Sequence, residues 1–171
     1  VPPQNFLNFA NFKALIYPTL YEFNDQAYFS NAVLAELSKE LFSSVSADRL
    51  LFFVEDIKNV GKSNPDTVNE VVNNLNKLSD ILEQNSIRLV FMPTVDKYNL
   101  YSRFIINNRF PESSLFELLR EQQMDFFFVD TKQILAHELE KGIKDIYYSD
   151  DTHWSNIGSS LVVNHMDSIF R

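Results

Sequence analysis

The sequence predicts an α/β domain: a three-layer open sheet, mostly parallel, with helices on both faces. Three observations lead there. Short continuous apolar runs at Arg49–Asp56, Ile87–Pro93 and Asp125–Asp130 read as strands buried on both sides. Stretches of helical period separate them. The length, 171 residues, suits one domain with a core of its own.

Along the chain, residues 1–25 read as an irregular arm laid across a surface, with Pro2, Pro3 and Pro18 among scattered aromatics (Phe6, Phe9, Phe12, Tyr17, Tyr21, Phe23). From Asp25 to Phe42, the positions of Ala27, Val33, Leu34, Leu37 and Leu41 approach a 3.6 period and predict a helix, broken by Ser43 to Asp48. The first strand, Arg49–Asp56, follows. Asn64-Pro65-Asp66 then opens a helix, with proline where a missing N–H costs nothing. It continues through Val68, Val71, Val72, Leu75, Leu78, Ile81 and Leu82. After the second strand come a loop (Thr94 to Tyr101), a polar stretch to Pro111 and a helix from Ser113 to Gln122. The third strand leads into a helix from Thr131 to Lys141, a short strand at Ile146 to Ser149, and a final helix from Asn156 to Phe170. No repeat, low-complexity segment or linker interrupts residues 1–171, so a single domain is expected.

Composition removes several classes of function. Fifteen Lys and Arg against 23 Asp and Glu give a net charge of −8, which speaks against a nucleic-acid binder that tracks phosphates. The absence of cysteine excludes a disulfide framework, a thiol nucleophile and a cysteine-ligated zinc. No apolar run approaches the ~18 residues of a membrane span, and no basic segment followed by an apolar stretch marks an export signal at the start. With Gly61, Gly142 and Gly158 the only glycines, neither Gly-rich phosphate-loop pattern can be written, so no nucleotide or other cofactor is expected. Sixteen phenylalanines, clustered in Leu51-Phe52-Phe53 and Phe126-Phe127-Phe128, reinforce the buried-strand reading.

In open parallel sheets, functional groups gather beyond the carboxyl ends of the strands. Three such ends carry chemistry: Glu55-Asp56, Thr94 to Tyr101, and Ser149 to Trp154. In the last, Asp150 and Asp151 stand beside His153 just before a helix. A carboxylate can fix one imidazole tautomer and stabilise the imidazolium, as the base-and-orienter half of a nucleophilic triad does. The plainer alternative is a pair of acids that cap the helix and complement its dipole. A metal site is not expected, because one histidine with two adjacent aspartates matches no standard zinc spacing. His137 reads as part of a solvated helix face, and His165 as a packed or edge residue.

Asp151-Thr152-His153-Trp154, with Gly158 downstream, resembles the D-x-H-W signature of the alginate O-acetyltransferase branch of the SGNH hydrolase superfamily (GDSL-like esterases and acyltransferases). Leu89 to Tyr101 (LVFMPTVDKYNLY) resembles that branch's strand ending in proline, followed by a lysine and a tyrosine four positions apart. The similarity covers residues 49 to 170. It implies serine-dependent ester or O-acyl chemistry on a carbohydrate or envelope polymer, in a periplasmic or extracellular location. By the resemblance His153 is the general base and Asp151 its favoured orienter, with Asp150 offering the D-x-x-H spacing of other members. Trp154, Lys97 and Tyr101 are implied at the substrate site, the last two near the pocket mouth, with surface or packing roles as the plainer alternative for both.

The chain departs from the family at the nucleophile. It contains no Gly-Asp-Ser turn, and Ser30, Ser102 and Ser113-Ser114 read as cap or loop serines. The expectation is either a piece whose nucleophile-bearing segment is missing or a relative that kept the fold and lost the chemistry. In both cases residues 1–171 alone should turn over little ester. A non-catalytic binding or assembly module on the same fold is the alternative. A flavodoxin-like receiver or nucleotide binder fits the layer order, but not the glycine content.

Overall fold

The computed structural model describes residues 16–27 and 30–170. Most of the expected arm, Phe6, Phe9 and Phe12 included, lies outside the described residues. A helix, α1, occupies residues 16–21. It is tied down where the Tyr21 hydroxyl donates to the Ala32 carbonyl at 3.3 Å and meets Ser30 Oγ at 3.0 Å.

Instead of a helix from Asp25 to Phe42, the chain forms strand β1 (Ala32–Glu36), antiparallel to β2 (Arg49–Phe53), with Ala32 opposite Phe53 and Glu36 opposite Arg49. Val33 and Leu37 lie four apart, a spacing that serves a strand's inward face as well as a helix's. A neighbouring apolar run with free backbone groups decides for the strand. The first apolar run is therefore antiparallel rather than parallel, and its burial alternates: Leu50 and Phe52 are fully buried, while Arg49 and Phe53 face water. It ends early, turning into helix α2 (Val54–Lys58), which carries Glu55 and Asp56.

Helix α3 (Pro65–Glu83) starts where the sequence places it. Asn64 caps it, its side chain accepting the Thr67 N–H at 2.9 Å. Strand β3 (Val90–Phe91) pairs in parallel with β4 (Phe127–Phe128), Val90 opposite Phe127 and Phe91 opposite Phe128. Between them lie the short helices α4 (Lys97–Tyr101) and α5 (Leu115–Arg120); α6 (Thr131–Glu140) and α7 (Asn156–Phe170) follow.

Helices and strands mix in one chain, as an α/β fold requires. Among the described residues, however, the ladders are two separate two-stranded sheets rather than one continuous sheet. The first apolar run is spent on the β1–β2 pair, and the expected strand at Ile146–Ser149 contributes only the isolated bridge Tyr147–Trp154. The parallel pair is packed on both faces. On one face Phe91 and Phe128 pack with Val68, Val72 and Leu119 from α3 and α5. On the other, Phe127 meets Phe170 of α7 at 5.1 Å between ring centroids.

The larger core joins Phe42, Leu50, Phe52, Tyr98, Tyr101, Leu135 and Ile146, all fully buried. Helix α4 is unusual in having no exposed residue. Asp96 caps it, accepting the Asn99 N–H at 2.8 Å.

Candidate functional site

The site begins with the start of α7. Ser155 Oγ accepts the N–H groups of Ile157 (3.0 Å) and Gly158 (3.2 Å), so this serine is the helix cap. Its hydroxyl donates to the Asp145 carbonyl and its own N–H to the Ile146 carbonyl at 2.9 Å. Gly158 lets the helix approach this closely: a β-carbon there would stand 2.2 Å from the same Ile146 oxygen. Upstream, Tyr147 and Trp154 bridge, and the Tyr148 N–H donates to the His153 carbonyl at 3.3 Å. Residues 148–153 are thereby closed into a tight loop.

Within it, Asp151 Oδ1 accepts the Thr152 N–H at 2.5 Å and the His153 N–H at 3.3 Å, and lies 2.7 Å from His153 Nδ1. One carboxylate oxygen thus holds both the turn and the ring. The bond from His153, then that from the Thr152 amide, keeps the Asp151 carboxyl below the usual carboxylate range. With the proton on Nδ1 and donated to Asp151, Nε2 presents its lone pair on a ring whose side chain is 80% exposed. Asp150 is exposed, and the ring's carboxylate partner is Asp151.

Beneath the loop lies Lys97, 1% exposed. Its Nζ donates to the carbonyls of Tyr148 (2.7 Å), Ser149 (3.0 Å) and Asp151 (3.0 Å).

A family model described as "SGNH hydrolase-like domain, acetyltransferase AlgX" matches residues 45–166. The chain belongs to this family. No curated protein and no solved structure matches the chain. The match runs from just before β2 into α7, so it includes the loop, Lys97 and Tyr101.

In this AlgX-type domain the candidate residues are brought to one place, but in different surroundings from those expected. His153 stands on an open surface. Its ring has no serine hydroxyl as a hydrogen-bond partner among the described residues. Lys97 and Tyr101, expected near a pocket mouth, are interior: their helix has no solvent face. The Tyr101 hydroxyl accepts the Tyr147 N–H at 3.4 Å, and burial raises it above the ordinary phenol range. Trp154 is half-buried, its ring edge-on to Tyr147 at 6.5 Å. A groove of about 1010 Å³, lined by Arg120, Asp130, Lys132, His137 and His165 among others, includes neither Asp151 nor His153. The described residues hold no cluster of three or more potential metal ligands.

Sequence reasoning missed Ser155 and Tyr147. Ser155 was detectable as a serine directly before a helical run. Tyr147, whose hydroxyl donates to the Val95 carbonyl, gave no local signal.

Asp56 adds a charge on the interior side of the candidate site. Burial first, then the Asp96 and Glu55 carboxylates, push it up to about 6, against the pull of the Phe53 backbone and Lys97. A carboxyl raised above its unfolded value binds more protons when folded, so its contribution to stability falls as pH rises from about 4 to about 6. Asp56→Asn should therefore be more stable than wild type at neutral pH, by on the order of 1 kcal/mol after solvent screening. The gain should vanish near pH ~4. Urea denaturation at both pH values checks this.

Proposed function

We propose that this domain supplies the base half of a serine-dependent esterase or O-acyltransferase acting on carbohydrate or envelope-polymer esters outside the cytoplasm. The observation that carries the reading is the 2.7 Å contact between His153 Nδ1 and Asp151 on a ring otherwise open to solvent. His153 takes the proton from an attacking hydroxyl and returns it to the leaving oxygen, while Asp151 fixes the tautomer and steadies the imidazolium. Trp154 borders the acyl or sugar ligand. In this reading the β3–β4 pair between its helices is the parallel centre of the family's three-layer sheet. The serine comes to Nε2 from a segment other than the described residues, so residues 1–171 alone turn over little ester.

The test supplies the missing nucleophile as a small molecule. Release of p-nitrophenol from p-nitrophenyl acetate is measured with N-acetylserinamide added at high concentration. The protein-dependent rate is expected to fall about tenfold or more in His153→Ala and to stay near wild type in His137→Ala. Equal rates for wild type and His153→Ala would remove the catalytic assignment. The exposure of His153 favours the second reading, a binding or assembly module, in that event.

A further inference from the structure

We propose that Lys97 is a positioning residue: its buried ammonium, donating to three carbonyls of the 148–151 segment, holds that loop in the shape that lets Asp151 engage His153. The proposal rests on the functional reading above only in giving that pair a catalytic role. An ammonium has three N–H groups, and here three carbonyl oxygens receive them at 2.7, 3.0 and 3.0 Å, so the donor set is filled. One of the three carbonyls belongs to Asp151 itself, two residues from the imidazole.

The clamp is fixed to the interior rather than to the surface. Lys97 belongs to the all-buried helix α4, and the Phe42 ring lies 5.2 Å from Nζ on the core side. Just upstream, the Val95 N–H donates to Thr131 Oγ1 at 3.0 Å. Burying a charge is costly unless it is hydrogen-bonded and compensated. Both conditions are met, the carbonyls bonding the ammonium and Asp150, Asp151 and Asp56 attracting it from further away. Burial nevertheless outweighs the carboxylates and brings Lys97 down to about 8. The neutral amine keeps two N–H groups and turns a lone pair toward the third carbonyl, so deprotonation loosens the clamp.

Several other titratable groups surround it. Asp56, on α2, titrates at about 6. Tyr101, on the same helix, and Tyr147, on the bridge, are raised above the ordinary phenol range by burial. Asp96 caps α4, Asp150 is exposed on the loop, and Asp151 is held below the usual carboxylate range by the bonds from His153 and the Thr152 amide. His153 lies in the loop itself, and its contribution is removed by repeating the series in His153→Ala.

The experiment is NMR on the 171-residue chain. Loop amides 148–153 and the Lys97 Cε are followed from about pH 6 to about pH 10, and imidazole nitrogen shifts report the His153 tautomer. The expected result is a shared midpoint near pH 8 for the Lys97 Cε and the loop amides, retained in His153→Ala. Lys97→Met should abolish that step and lose the Nδ1–H tautomer preference, with the core signals of Leu50 and Leu135 in place. Because the chain has no cysteine, Lys97→Cys can be alkylated with bromoethylamine in denaturant and refolded. Restoring an ammonium in this way should restore both signatures. Loop amides that stay flat through the Lys97 transition overturn the proposal, and so does Lys97→Met with an unchanged loop. If Lys97→Met does not fold, the wild-type titration decides alone. No readout involves ester turnover, so the esterase reading can fail while the clamp stands, and the reverse.

Discussion

Replacing Gly158 by alanine is expected to destabilise the domain by about 3 kcal/mol, the upper range for an overpacked interior. For a chain of this size that lowers the thermal midpoint by roughly 6–12 °C. The new methyl group would stand 2.2 Å from the Ile146 carbonyl oxygen and 3.1 Å from its Cγ2. The oxygen cannot swing aside freely, because it already accepts the Ser155 N–H at 2.9 Å. Helix α7 must therefore lift away from residues 145–146, straining the Ser155 cap on the loop that carries Asp151 and His153. Thermal melts followed by circular dichroism decide the matter. An unchanged midpoint would mean that the start of the helix is free to slide and is not what sets the loop's position.

The second large effect is expected at Thr131, which joins the end of β3 to the start of α6. Its side chain is fully buried, donating to the Pro93 carbonyl at 2.6 Å and accepting the Val95 N–H at 3.0 Å. Thr131→Val preserves the shape but strips both partners at once. Each buried polar group left unmatched costs about 1–3 kcal/mol, so a total loss of about 3 kcal/mol is expected. Thr131→Ser keeps the hydroxyl and should recover most of it. The urea midpoints of the two variants make the comparison. A Thr131→Val midpoint equal to that of Thr131→Ser would show that the hydroxyl does not hold the β3 exit.

Helices α3, α6 and α7 were legible as stretches of helical period, and α3 also through its local start signal, Asn64-Pro65. The strands were legible as apolar runs but not in length, and their parallel direction holds only for the β3–β4 pair. Ladder bonds depend on which partner arrives, and Arg49–Phe53 takes β1 as its antiparallel neighbour. The stretch from Asp25 to Phe42 misled because Val33, Leu37 and Leu41 are spaced by four, which suits both periodicities. At the site, Asp151 and His153 are two residues apart, so their meeting needed no tertiary information. The burial of Lys97 needed a great deal. Lysine ordinarily keeps its charge in water, and the carbonyls that replace water here lie 51, 52 and 54 residues downstream.

Helix α4, which offers no residue to solvent, has a consequence for the cost of encounter. An imidazole at an exposed edge normally pays an ordering penalty when a ligand arrives, since surface loops sample many shapes. Here three loop carbonyls are bonded to a lysine on a helix that cannot turn without disrupting the larger core. Most of that freedom is already lost before any ligand approaches, and the imidazole meets a newcomer preorganised though exposed.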